Sequence, residues 1–137
     1  MKMIKRLISL VLTSLLLSSC SVERADTDRK APVGYRQITA KEAEVMMREE
    51  ENYIILDVRT PEEFKEKHIK GAINIPNENI GEEEIPALPD KDCLILVYCR
   101  SGNRSKQAAE KLVKLGYTNV VEFGGIIDWR GETEVGE

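Results

Sequence analysis

Apolar residues in this chain gather in short, nearly unbroken runs, separated by stretches where they recur every three or four positions. Residues 53–58 (YIILDV) and 93–98 (CLILVY) show little polar alternation, the pattern of strands buried on both faces of a parallel sheet. Weaker runs at 119–123 (NVVEF) and 72–75 (AINI) add two further strands. Between the runs the period changes. Thr39 and Glu42 form a capping box ahead of Ala43, Met46 and Met47, and Thr60, Pro61 and Glu63 repeat the arrangement before Phe64. Residues 105–115 set Ala108, Ala109, Leu112 and Leu115 on one helical face, and Gly116 follows as a stop. Helices alternating with strands predict an α/β fold, a mostly parallel central sheet flanked by helices on both faces.

The first stretch of the chain follows a different pattern. Lys2, Lys5 and Arg6 precede an apolar segment at 7–17, interrupted by Ser9, Thr13 and Ser14 and followed by Ser18, Ser19 and Cys20. A spanning helix needs about 20 apolar residues, and this run is too short. Its cationic start, greasy middle and small residues fit an export signal at 1–19. The tetrapeptide at 17–20 (LSSC) resembles a bacterial lipobox, whose cysteine is lipidated with diacylglycerol and becomes the new N-terminus. Two acyl chains on Cys20 suffice for durable anchoring. The competing reading is an ordinary secretory signal in which Cys20 is coincidental. Residues 20–34, charged and aperiodic, read as the lipidated cysteine and a flexible tether. The folded domain is expected at 35–131, with 132–137 as a C-terminal tail. The expected location is extracytoplasmic and membrane-anchored, on the periplasmic side if two membranes are present.

Composition narrows the chemistry. The 137 residues include 20 Lys plus Arg, 24 Asp plus Glu, three cysteines and one histidine. That length suits one compact domain. A net charge of −4 argues against a nucleic-acid partner, which needs clustered cations. Loss of residues 1–19 removes Lys2, Lys5 and Arg6 and no acid, leaving 17 cations against 24 acids, or −7. Three cysteines cannot build a disulfide framework, and a single histidine excludes a multi-His metal site. No metal and no cofactor are expected. A monomer is expected, because no exposed apolar stripe stands out.

The segment Cys99-Arg100-Ser101-Gly102-Asn103-Arg104-Ser105 leads from a buried strand into a helix. A thiol there sees the helix N-terminus, whose free N–H groups favour an anion. Arg100, Arg104 and Lys106 add positive charge with no acid among them, so the loop favours thiolate. Lowering a thiol pKa by two units requires about 2.7 kcal/mol, and each hydrogen bond to a charged group supplies roughly 1.5–3 kcal/mol. One or two N–H groups suffice without a histidine base. Gly102 lets the loop fold back, since a Cβ would block the turn. Cys93 opens the strand, about 20 Å from Cys99 and beyond disulfide reach, and reads as core packing.

These residues resemble the single-domain members of the rhodanese, or sulfurtransferase, family. The resemblance runs through 55–64 (ILDVRTPEEF), 68–76 (HIKGAINIP), the loop at 99–105 and the closing Gly124-Gly125-Ile126 with Trp129. It implies a rhodanese-like fold and a persulfide mechanism. Cys99 would be an exposed catalytic nucleophile that takes a sulfur from an anionic donor such as thiosulfate and passes it to cyanide or a thiol. Arg100, Ser101, Gly102, Asn103 and Arg104 would bind the substrate. Asp57, Arg59 and Ser105 would support them, Asp57 by ordering an arginine or the loop backbone or as one half of a structural ion pair. His68 reads as structural, and Glu82-Glu83-Glu84 as a solvated face. One alternative is a non-catalytic sulfur carrier or binding module of the same fold. Another is a cysteine phosphatase or arsenate reductase, which needs Cys, five residues, then Arg. Here Arg104 falls one place early and Ser105 holds that position.

Overall fold

The fold is that of a computed structural model describing residues 34–137. The expected export signal, Cys20 and the expected tether up to residue 33 lie outside the described residues. Seven strands and three α-helices follow one another as β1 (Arg36–Gln37), α1 (Ala40–Glu49), β2 (Tyr53–Asp57), α2 (Pro61–Glu66), β3 (His68–Ile69), β4 (Ile73–Asn74), β5 (Leu94–Cys99), α3 (Asn103–Lys114), β6 (Val120–Gly125) and β7 (Thr133–Glu134). Five strands form one parallel sheet in the order β1-β6-β5-β2-β4. Parallel neighbours require crossovers, and the helices supply them.

Alternation along β5 divides the core into two layers. Ile95, Val97 and Cys99 pack on the α3 side with Ala108, Ala109 and Leu112. Leu94, Leu96 and Tyr98 pack on the α1 side with Ala40, Ala43 and Phe123. All six β5 residues are buried, which explains an apolar run without polar alternation. Both expected capping boxes form: the hydroxyls of Thr39 and Thr60 accept from the N–H groups of Glu42 and Glu63, whose carboxylates accept in return. Each closes a helix start with local partners alone.

Two expectations change. Residues 132–137 do not simply trail away, because β7 pairs antiparallel with β3, His68 opposite Glu134 and Ile69 opposite Thr133. Cys93 precedes β5 instead of opening it, and sits half-buried among Arg36, Asp90, Asp92 and Asn119. Burial and the nearby Asp90 charge raise its thiol pKa. The apolar neighbours of the strand made it look like core; its side chain belongs to the polar N-terminal edge of the sheet.

Candidate active site

Cys99 is the last residue of β5, and the next three residues turn into α3. Gly102 makes that turn at φ +114°, a region that L side chains rarely adopt. The constraint is conformational. A Cβ on Gly102 would meet the Gly124 Cα at 3.6 Å and Glu122 Oε1 at 3.8 Å, ordinary contacts that leave room for it. Space decides at Gly125, where a Cβ would fall 1.8 Å from the Arg100 carbonyl oxygen. The loop therefore lies directly on β6.

The resulting turn aims backbone donors at sulfur. Gly102 N–H donates to Cys99 Sγ at 3.0 Å. Burial raises the thiol pKa, but the Ser105 hydroxyl and the N–H groups of Ser105, Gly102 and Ser101 outweigh it and bring the value below that of an ordinary thiol. These donors gather at the start of α3, where the sequence places an anion site. The thiol itself is covered, however: Cys99 is 1% exposed, not the open nucleophile the sequence suggested. Its side chain points into the α3-side core, and exposure belongs to Arg100, Ser101 and Asn103 around it.

The cations divide. Arg100 and Lys106 are exposed and join no ion pair among the described residues. Arg104 is engaged: Nη1 and Nη2 donate to Glu63 Oε2 and Oε1 at 2.7 and 2.9 Å. That fork holds the Glu63 carboxyl at a pKa of about 2, chiefly through the Arg104 hydrogen bonds. Arg104 thus ties α3 to α2, and its commitment to Glu63 weakens any phosphatase reading further.

Asp57 does order an arginine, but it is Arg59. Arg59 Nη2 donates to Asp57 Oδ2 at 2.7 Å and to the Lys67 carbonyl at 2.6 Å, with both side chains buried. Alternation puts Asp57 on the Ile55 side of β2, the α1 face of the sheet. The arginine also covers the Tyr98 ring at 5.7 Å, and the Tyr98 hydroxyl accepts from Ile69 N–H at 3.0 Å. The pair fastens β2, β3 and β5 together and makes no hydrogen bond to Cys99. His68 has a similar structural place, stacked on Phe64 at 3.7 Å with Nδ1 at 2.8 Å from the Phe64 carbonyl.

Sequence reasoning missed Glu122. Its backbone belongs to β6, its side chain faces α3, and it is 2% exposed. Oε1 accepts from Gly124 N–H at 2.7 Å and from the Ser105 hydroxyl at 2.6 Å. The carboxylate spans a register shift, since Val97 pairs with Glu122 but Cys99 pairs with Gly125. One signal was available: Glu122 is the charged residue in the otherwise apolar run VVEF at 120–123.

Residues 39–132 match the model of the rhodanese-like domain. The thiosulfate sulfurtransferase PspE of Escherichia coli is 45% identical over 73 residues, covering 53% of this chain and 70% of that protein. Among solved structures, an E. coli rhodanese with anions is 40% identical at a TM-score of 0.57, covering 61% of this chain and 99% of the other. The rhodanese-like domain of the Anabaena protein Alr3790 is 29% identical at a TM-score of 0.65, covering 72% and 78%. The domain match, these relatives and these structures agree: the chain belongs to the rhodanese-like family, as a sulfurtransferase of the rhodanese type.

Proposed function

We propose that the protein moves a sulfane sulfur from a small anionic donor such as thiosulfate to cyanide or a thiol, through a persulfide on Cys99. The observation that carries this reading is the Gly102 N–H held 3.0 Å from Sγ at the start of α3. The Cys99 thiolate attacks the outer sulfur of thiosulfate, the S–S bond of the donor breaks, and sulfite leaves with the bonding pair. Cys99 then carries the sulfur as an anionic persulfide. Cyanide attacks that sulfur, thiocyanate leaves, and the thiolate returns. Charge balances in both steps, and neither needs a cofactor or a metal. The N–H groups that favour the thiolate also favour the persulfide. The near-complete cover of Cys99 favours donors that present a terminal sulfur atom.

Intact-mass measurement after incubation with thiosulfate tests the reading. The reduced protein is expected to gain one sulfur, and Cys99→Ala none; an equal gain in both would refute it. Thiocyanate formation then separates an enzyme from a carrier, since sulfur gain without turnover marks the carrier. The domain acts as a monomer, held outside the cytoplasm by lipid on Cys20. Cys20→Ser is expected to move the protein from the membrane to the soluble fraction; unchanged partition would remove the anchor from the proposal.

A further inference from the structure

The Ser105 hydroxyl has four oxygen or sulfur neighbours and one hydrogen. Glu122 Oε1 lies at 2.6 Å, the Gly102 carbonyl at 2.9 Å, the Gly124 carbonyl at 3.3 Å and Cys99 Sγ at 3.4 Å. Ser105 is fully buried and Glu122 nearly so, so water is not at hand to relieve the competition. Among the described residues, no cation pairs with Glu122.

A hydroxyl donates once. With Glu122 ionised, the shortest and charged acceptor takes the Ser105 hydrogen, and the lone pairs left on Oγ suit a thiol that donates S–H. When sulfur is an anion, it calls for that same hydrogen. Glu122 Oε1, still 2.6 Å away, then needs a proton of its own to bond with Ser105. The two arrangements differ by one proton passed along the chain. Sγ–H donating to Oγ–H donating to the carboxylate becomes a thiolate accepting from Oγ–H, which accepts from the carboxylic acid. Net charge is the same on both sides.

We propose that the Ser105 hydroxyl relays the Cys99 proton to Glu122, so that an anionic sulfur on Cys99 is matched by an uncharged Glu122. Glu122 acts through Ser105 and is a positioning residue for the cysteine's proton. The relay rests on Cys99 being the reacting group of the proposed function. It also gives the site somewhere internal to hold the proton while the anionic donor is near.

Other charges around the relay are already engaged or face elsewhere. From α3, Arg104 acts on Cys99 but is bound to Glu63 of α2. Asp57 of β2 is bound to Arg59. Arg100, in the loop, and Lys106, on α3, are exposed. From β1, Glu122 has the uncharged Gln37 as its register partner, and Arg36 reaches Asn119 instead. On β5, its register partner is the apolar Val97.

The test is the pH profile of Cys99 alkylation by iodoacetamide, read at Cys99 by peptide mass so that Cys20 and Cys93 do not contribute. Two sites sharing a proton titrate as a pair. The wild-type rate is expected to rise in two steps, because while the pair holds one proton both arrangements are populated and only part of the sulfur is anionic. Glu122→Gln should leave a single step, about one unit or more below the wild-type upper step. Glu122→Asp, which retains a carboxyl group, should restore two. A single step in the wild type overturns the relay without any variant, as does an unchanged two-step profile in Glu122→Gln. Because alkylation needs no sulfur donor, failure here is distinct from failure to form the persulfide, which the thiosulfate mass measurement reads.

Discussion

Two glycines beside Cys99 carry different constraints, and substitution should separate them. Gly102→Ala must hold φ near +114°, a strain of about 1–2 kcal/mol for an L-residue. Its relaxation would swing the residue-102 N–H away from Sγ. Losing that donor raises the thiol pKa, so Cys99 alkylation at neutral pH is expected to slow, roughly tenfold if the lost hydrogen bond contributes about 1.4 kcal/mol to the thiolate. Gly125→Ala meets the Arg100 carbonyl instead of a dihedral barrier, and the loop would have to leave β6. Its thermal midpoint should fall further than that of Gly102→Ala; the reverse order would place the main constraint at Gly102. That residue 102 must be glycine was legible in sequence because a turn between a strand and a helix is local, but the reason is its dihedral and not the blocking Cβ that the sequence suggested. Gly125 marked the closing motif, but its reason, a carbonyl 25 positions earlier in sequence, depends on how β5 and β6 pair.

At the scale of elements, α2 is six residues long and leans on α3 through Glu63 and Arg104. The Glu63 carboxyl titrates at about 2 instead of 4.5, chiefly because Arg104 donates to it. A carboxyl depressed by folding contributes stability that is present above its unfolded value and is lost as pH falls through its folded one. Both side chains are about a third exposed, so screening limits the pair to about 1 kcal/mol or less. Glu63→Gln retains the capping box, since glutamine serves at that position. At pH 7 the variant should unfold up to about 4–8 °C below wild type, with the gap closing as pH falls from 4.5 towards 2. A gap that persists at the acid end would assign the loss to packing. Both capping boxes were visible from three-residue spacings, but the link from Glu63 to Arg104 spans 41 positions and left no local trace. The two residues of β7 sit in a polar stretch with no periodicity, so the final segment read as tail. Its pairing with β3 is reinforced by the Gly136 N–H donating to the Lys65 carbonyl at 2.8 Å. Ending the chain at Glu132 should lower the thermal midpoint and leave Cys99 alkylation unchanged, because β3 and β7 touch neither the loop nor β6 in register. A changed alkylation rate would mean that the small sheet braces the loop.

Across the whole molecule, a positive loop sits in an acidic protein, and the structure revises which charges are free to work there. The sequence offered Arg100, Arg104 and Lys106 as one cationic cluster. Glu63 takes up Arg104, leaving Arg100 and Lys106 to face solvent. Exposed charges act on a small anion mainly by steering it, through water and within a Debye length of about 10 Å. At about 8 Å in water, one cation attracts a dianion by about 1 kcal/mol before screening. Arg100→Ala is therefore expected to raise KM for thiosulfate about threefold in dilute buffer, with kcat little changed, and the difference from wild type should shrink as salt rises. A kcat loss that persists at high salt would show instead that Arg100 binds the reacting group directly. Arg104→Ala should behave differently: freeing Glu63 places an uncompensated carboxylate near the loop and loosens α2 from α3, so the defect should appear in thermal stability as well as in KM. Comparing iodoacetate with iodoacetamide at Cys99 isolates the electrostatic part without sulfur chemistry. The preference for the anionic reagent should fall in Arg100→Ala and with added salt, and equal ratios in wild type and variant would remove Arg100 from donor capture.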